Sequence, residues 1–220
     1  FTQSYWSKQN GPTVSSNQTI SPEGIQNADT LVSANATNEQ YLYNTTLISV
    51  TSGDDVTISC FVKKLDYDYF HIRFTGVGGV FTAASVWYNI DNGTLGTVES
   101  GITAKIEDYG NGWYRCSVKV TATSSGSKLF GFLGDSSDSG TLYSLYGSQL
   151  ESGSFITSYI PTTGSTVTRA AETCDSAGNS TVFGDSEGVL YAEIAKNNGT
   201  QYSLVSLQKP SITNTYAYIY

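Results

Sequence analysis

The sequence is poor in histidine and cysteine. It has one histidine and three cysteines among 220 residues, and it has no methionine. A Ser-His-Asp triad and a zinc site built from several histidines would both have to use His71, and neither a nucleophile-elbow serine nor an HExxH motif accompanies it. Neighbouring carboxylates such as Asp66 and Asp68 lie in predicted turns, where aspartate is common. This placement accounts for them better than a role as the paired catalytic carboxylates of a glycosidase. We therefore expect that the protein is not an enzyme.

Positive charge and long apolar runs are also scarce. The chain has 11 lysines and arginines against 19 aspartates and glutamates, a net charge of −8, which disfavours a nucleic-acid binder that neutralises phosphates. Charged residues make up only 14% of the chain, so the composition is not that of a charge-rich disordered protein. No apolar stretch approaches the roughly 20 residues that a membrane-spanning helix needs. Membrane insertion is therefore not expected.

The sequence does have apolar, tyrosine-rich segments, separated by turn residues at intervals of about ten residues. Hydrophobic residues make up 39% of the chain, with 16 tyrosines and 22 glycines, and no window shows a helical period over three turns. The pattern predicts an all-β protein, an antiparallel β-sandwich of the jelly-roll type. Residues 1–38 are mostly polar, and turn residues interrupt any regular strand pattern there. The predicted strands lie near 40–50, 55–63, 67–75, 80–90, 102–107, 113–122, 128–134 and 141–151.

Alternation within two of these strands, 67–75 and 80–90, predicts an outward row of aromatic and polar side chains. Exposed rings stack on the apolar faces of sugars, and arginine and histidine offer planar hydrogen-bond partners for hydroxyl groups. Contact between subunits and plain cross-strand pairing are the alternative interpretations. The candidate glycan-binding residues are Tyr67, Tyr69, His71, Arg73 and Trp87.

The composition of the sequence changes near Pro161, and the segment Ala170–Asn179 consists mainly of small and polar residues. This change predicts a first domain at 1–172 and a linker at 173–187. The strands expected at 188–220 are too few for an independent sandwich, so they are either the start of a second β domain or strands added to the first. Because the sequence still alternates as a strand does at its last residues, we expect a fragment of a longer polypeptide.

Four segments carry a resemblance to a known family in this order and spacing: Asn111–Cys116, Tyr146–Gly153, Thr157–Thr162 and Val167–Glu172. With the opening Phe1–Asn10, they resemble the jelly-roll, carbohydrate-binding-module-like domain that is common in bacteriophage tail proteins and other virion proteins. The resemblance covers residues 1–172. Beyond it, Glu187–Ile194 resembles the first strand of a concanavalin A-like lectin domain, which often follows in such proteins.

The resemblance implies a virion module, in a tail fibre, a tailspike or another surface appendage, that presents a glycan-binding or assembly surface for host recognition. Its partners would be a cell-surface glycan or polysaccharide and other virion proteins, and it would act as a homo-oligomer, most simply a trimer. Two alternatives stay open. One is a carbohydrate-binding module of a secreted bacterial polysaccharide-degrading enzyme, which would be extracellular. The other is a purely structural capsid or tail decoration domain.

Jelly-roll domains of this kind often hold a structural calcium ion through carboxylates and carbonyl groups. The candidate ligands are Glu23, Asp29 and Glu151, because the N-terminal segment and the last strand often meet in such folds. Cys60 and Cys116 both face inward by alternation. They are either a disulfide or two small buried residues.

Overall fold

A computed structural model describes residues 1–34, 40–75, 79–81, 85–134, 140–162 and 165–168. Within them the chain forms strands and turns without a helix, and the strands build two antiparallel sheets. The prediction of an all-β antiparallel sandwich is therefore confirmed. In the part of the chain that the structure covers, no helix is long and apolar enough to cross a membrane.

Among the residues that the structure describes, thirteen strands make up the two sheets. Their bounds are β1 Trp6–Gln9, β2 Thr13–Ile20, β3 Gln26–Val32, β4 Gln40–Asn44, β5 Ile48–Val50, β6 Asp55–Lys64, β7 Tyr69–Thr75, β8 Ser85–Asn89, β9 Thr94–Val98, β10 Ile102–Asp108, β11 Trp113–Thr121, β12 Gly126–Gly134 and β13 Thr141–Ser152. The seven-stranded sheet has the order β1-β4-β12-β7-β8-β9, with the short β5 also paired to β12. The six-stranded sheet has the order β10-β11-β6-β13-β3-β2.

The main core fills the space between the two sheets. Each central strand contributes every second residue to it, as the twofold side-chain period of a strand requires. Val86 and Tyr88 of β8, for example, are both 0% exposed. Large rings from the seven-stranded sheet and its N-terminal extension meet here. They include Phe1, Trp6, Phe70, Phe130 and Phe132.

A second, smaller cluster lies on the outward side of the six-stranded sheet. Phe61, Trp113 and Tyr146 are its large members, and Tyr159 from the segment after β13 packs against them. The Trp113 indole N–H donates to the carbonyl of Ile20 at 3.0 Å, which ties the turn after β2 to this side of the sheet. The chain itself therefore covers part of this outward face.

The predicted strand at 40–50 is divided into β4 and β5. Asn44 is fully buried at the break, and its side-chain oxygen accepts the backbone N–H of Phe130 at 2.7 Å. A side chain here takes the place of a strand-to-strand backbone bond, so the chain leaves the regular ladder and rejoins it at Ile48.

Four strands were not predicted from the sequence. The polar segment 1–38 contains β1, β2 and β3, and β9 follows the predicted strand at 80–90. β3 is buried between β2 and β13, although Asp29 and Thr30 lie within it. A buried strand can contain polar residues when their side chains are hydrogen-bonded. Alternation in the sequence does not show whether such partners exist.

The chain divides into two compact units, Phe1–Val167 and Thr168–Tyr220. The sandwich is the first unit. Of the second, only Thr168 lies within the described residues. The predicted linker at 173–187 and the strands expected at 188–220 fall outside them, as does Cys174.

Candidate functional site

Strands β7 and β8 bring most of the predicted row together on the outward face of the seven-stranded sheet. The register pairs Tyr69 with Asn89, His71 with Trp87, and Arg73 with Ser85, and residues directly opposite each other point to the same side of a sheet. The residues between them in sequence are buried in the core. Tyr69, at 42% exposure, is the most open of the row.

Tyr67 is the one candidate that the structure leaves out of this row. It precedes β7, and its ring is partly buried against the main core. Its backbone N–H donates to the carbonyl of Leu142 at 3.3 Å, which links the turn before β7 to β13 of the other sheet. Tyr67 therefore lies at the junction of the two sheets rather than on the outward face.

His71 and Trp87 form a parallel stack, with ring centroids 4.0 Å apart and an interplanar angle of 17°. His71 is only 3% exposed, so the expectation of a solvent-facing histidine is wrong. Its Nε2 is hydrogen-bonded to the hydroxyl of Ser85, and its Nδ1 has no partner among the described residues. Burial, and then the positive charge of Arg73, lower the pKa of His71 to about 3. The imidazole is therefore neutral near pH 7.

Arg73 reaches across the sheet to Tyr41, two strands away on β4. Its Nη1 donates to the Tyr41 hydroxyl at 3.1 Å, and its guanidinium carbon lies 5.9 Å from the centre of that ring. Gly131, the register partner of Arg73 on the intervening β12, has no side chain to block this path. A Cβ at Gly131 would lie 2.7 Å from the carbonyl oxygen of Leu42 and 2.8 Å from the Cβ of Tyr43, so glycine is required there.

The site thus contains two tyrosines that the sequence analysis missed. Tyr41 and Tyr43 flank the buried Leu42 on β4, and both face outward. Both tyrosines lie in the strand predicted at 40–50, so alternation within that strand could have placed them on one face. The sequence of the strand does not show, however, which other strand lies beside β4. Every described side chain that points outward from β4, β7 and β8 is uncharged near pH 7 except Arg73. The arrangement suits stacking on apolar ring faces, with the Arg73 guanidinium as a hydrogen-bonding group beside the Tyr41 ring.

The three predicted calcium ligands do not come together. Glu23 is hydrogen-bonded to Tyr146, and burial together with this bond raises the pKa of that tyrosine. Asp29 accepts the backbone N–H of Asn17 at 3.1 Å and contacts the amino nitrogen of Phe1. Glu151 accepts the backbone N–H of Thr157 at 3.1 Å. The described residues contain no group of three metal-ligating side chains, so this geometry gives no support to a shared calcium site.

Cys60 and Cys116 lie directly opposite each other on β6 and β11. Both are free thiols, and both are 0% exposed within the core. Burial raises the pKa of each thiol well above its ordinary value. In this structure the pair therefore acts as two small apolar core residues, the second of the two interpretations of the sequence.

No protein-family model and no curated protein matches this chain. The β-sandwich is established by the structure itself. The resemblance to the jelly-roll carbohydrate-binding-module-like domain of virion proteins remains a prediction, and so do the lectin-like start at Glu187–Ile194 and the virion location.

Proposed function

We propose that the protein is a non-enzymatic glycan-binding module and that the outward face of the seven-stranded sheet binds the sugar. The observation that carries this proposal is the meeting of Tyr41, Tyr69 and Trp87 on one face, with His71 and Arg73 held beside their rings. The site residues come from separate strands, and the hydrogen bonds of His71 and Arg73 fix them before any ligand arrives.

The setting that we propose is a virion appendage such as a tail fibre or tailspike, on the strength of the resemblance in the sequence. Single stacking contacts to sugars are weak. A homo-oligomer such as a trimer would present several copies of the face to a cell surface, and linked sites bind with far greater avidity than one site alone. The net charge of −8 disfavours attachment by simple charge attraction to an anionic surface.

The test is a glycan array probed with the purified protein, followed by calorimetry on the sugar class that binds. Trp87→Ala removes the largest ring of the face, and we expect about tenfold weaker binding, because a lost stacking contact is worth up to about 1.5 kcal/mol. Trp87→Phe keeps a ring and should retain most of the affinity. The array is repeated with a chelator to test the calcium prediction.

The matched control is Phe155→Ala, which removes an aromatic side chain that is 53% exposed outside this face. Thermal melting of each variant checks that the fold is intact. If Trp87→Ala and Phe155→Ala bind the glycan equally well, the proposed face is wrong. If a folded Trp87→Ala protein instead loses its oligomeric state and no glycan binds the parent, the face is a structural contact between subunits.

A further inference from the structure

The outward face of the seven-stranded sheet carries two separate stacks. In the first, the Trp87 ring lies parallel to His71 with centroids 4.0 Å apart. In the second, the Arg73 guanidinium lies over the Tyr41 ring at 5.9 Å and is bonded to its hydroxyl. Each stack joins one aromatic ring to a planar nitrogen-bearing group that holds the ring in place. His71 is buried and bonded to Ser85, so the first stack offers a sugar the Trp87 ring. The second offers the Tyr41 ring with the Arg73 guanidinium beside it.

The aromatic rings of the two stacks lie in one row that crosses the strands, and Arg73 lies in the adjacent row. The register joins Tyr41 of β4 to Leu133 of β12, Leu133 to His71 of β7, and His71 to Trp87 of β8. Tyr41 and Trp87 are therefore three strand spacings apart, which is about 14 Å. One pyranose unit advances a glycan by close to one strand spacing. A single sugar therefore cannot reach both stacks, whereas about three or four linked sugars can.

Two glycines keep the surface beside the stacks low. Gly131 lies between Tyr43 and Arg73 in the adjacent row. A Cβ at Gly96 of β9 would come within 3.0 Å of the carbonyl oxygen of Trp87, so glycine lets β9 approach that residue closely. Both glycines lie beside the row, whose middle position is Leu133, and at neither position does a side chain rise next to the rings. A flat, extended ligand fits such a surface better than a compact one.

We propose that this face binds a linear oligosaccharide along its length, running across the strands, with one sugar on Trp87 and a second on Tyr41. The inference rests on the proposed glycan-binding function and adds the ligand class, which is an internal stretch of a polysaccharide rather than a single terminal sugar. Two weak contacts on one chain reinforce each other because the second forms within an already bound ligand.

The test is a length series of one glycan, from the monosaccharide to the hexasaccharide, titrated calorimetrically into the full chain. The sugar is the one selected on the array. We expect affinity to rise at least tenfold between the disaccharide and the tetrasaccharide and then to level off, since the longer chains already span both stacks. A monosaccharide that binds as tightly as the tetrasaccharide overturns the inference and leaves the glycan-binding function standing.

Two variants show whether both stacks contact one chain. Trp87→Ala and Tyr41→Ala should each weaken tetrasaccharide binding about tenfold. Either variant should also abolish the gain from disaccharide to tetrasaccharide, because only one stack then remains. Phe155→Ala should leave the whole length series unchanged. If both variants keep that gain in full, the sugar does not bridge the stacks. If no glycan of any length binds the folded parent, the proposed function itself fails.

Discussion

His71 should make the stability of the protein depend on pH, because burial and the charge of Arg73 lower its pKa to about 3. In the unfolded chain the same imidazole titrates near its ordinary value of about 6.5. Between pH 6.5 and pH 3, His71 is therefore protonated in the unfolded state but not in the folded state. Stability rises with pH wherever the unfolded state binds more protons, so the contribution of His71 is fully present above pH 6.5 and is lost as the pH falls toward 3.

The size of the effect follows from the linkage relation. At pH 4.5 the unfolded imidazole lies two pH units below its pKa, and each unit corresponds to about 1.4 kcal/mol. We expect His71 alone to remove about 2.5 kcal/mol from the free energy of unfolding between pH 7.5 and pH 4.5. For a chain of this length, that loss lowers the melting temperature by about 5–10 °C.

The assay is urea unfolding of the parent and of His71→Gln at pH 7.5 and pH 4.5. Glutamine can still hydrogen-bond to Ser85 but does not titrate, so the difference between the two pH dependences isolates the imidazole from the carboxylates. The variant should lose about 2.5 kcal/mol less than the parent. Parallel pH dependences would show that His71 is protonated in the folded state, and would refute the neutral stack with Trp87.

Two further predictions test the packing around the site. Gly131→Ala should lower the free energy of unfolding by about 1–3 kcal/mol, because the new methyl meets backbone atoms of β4. In the control Gly79→Ala, the methyl enters open space. This control should change the free energy of unfolding by less than about 0.5 kcal/mol in the same urea titration. Cys60 and Cys116 should resist a thiol reagent at pH 8 in the folded protein and react only in denaturant. Peptide mass spectrometry follows each cysteine separately, and rapid labelling of Cys60 or Cys116 in the native protein would contradict their burial.

Local alternation in the sequence was enough to predict which side of a strand is buried. Val86 and Tyr88 face the core, and the outward placement of Tyr69 and Trp87 follows from the same period. The burial of His71 could not be predicted in this way. It results from a ring on β8 that stacks against it, and a period of two along one strand carries no information about the neighbouring strand.

Contacts that cross more than one strand were also beyond the sequence. Arg73 and Tyr41 are 32 positions apart in the chain and meet only because β12 lies between their strands with a glycine at the crossing point. β12 follows both of them in sequence, so this neighbourhood is set by the order of strands in the sheet. Short strands with few apolar residues, such as β9, were missed because their side chains are mostly exposed. Such a strand is recognised by its backbone hydrogen bonds to the neighbouring strand, which the sequence does not show.

The contrast between the two outward faces is an independent reason to propose the seven-stranded sheet, rather than the six-stranded sheet, as the glycan-binding face. On the six-stranded sheet, Tyr159 packs against Phe61 and Tyr146 with ring centroids 6.1 and 5.4 Å away, and Gln149 holds the same segment by accepting the backbone N–H of Ile160 at 2.8 Å. A glycan there would first have to displace these contacts, at a cost to its own affinity. The rings around Trp87 need no such displacement of the segment after β13, so at the proposed site the same stacking energy should yield tighter binding than on the six-stranded sheet.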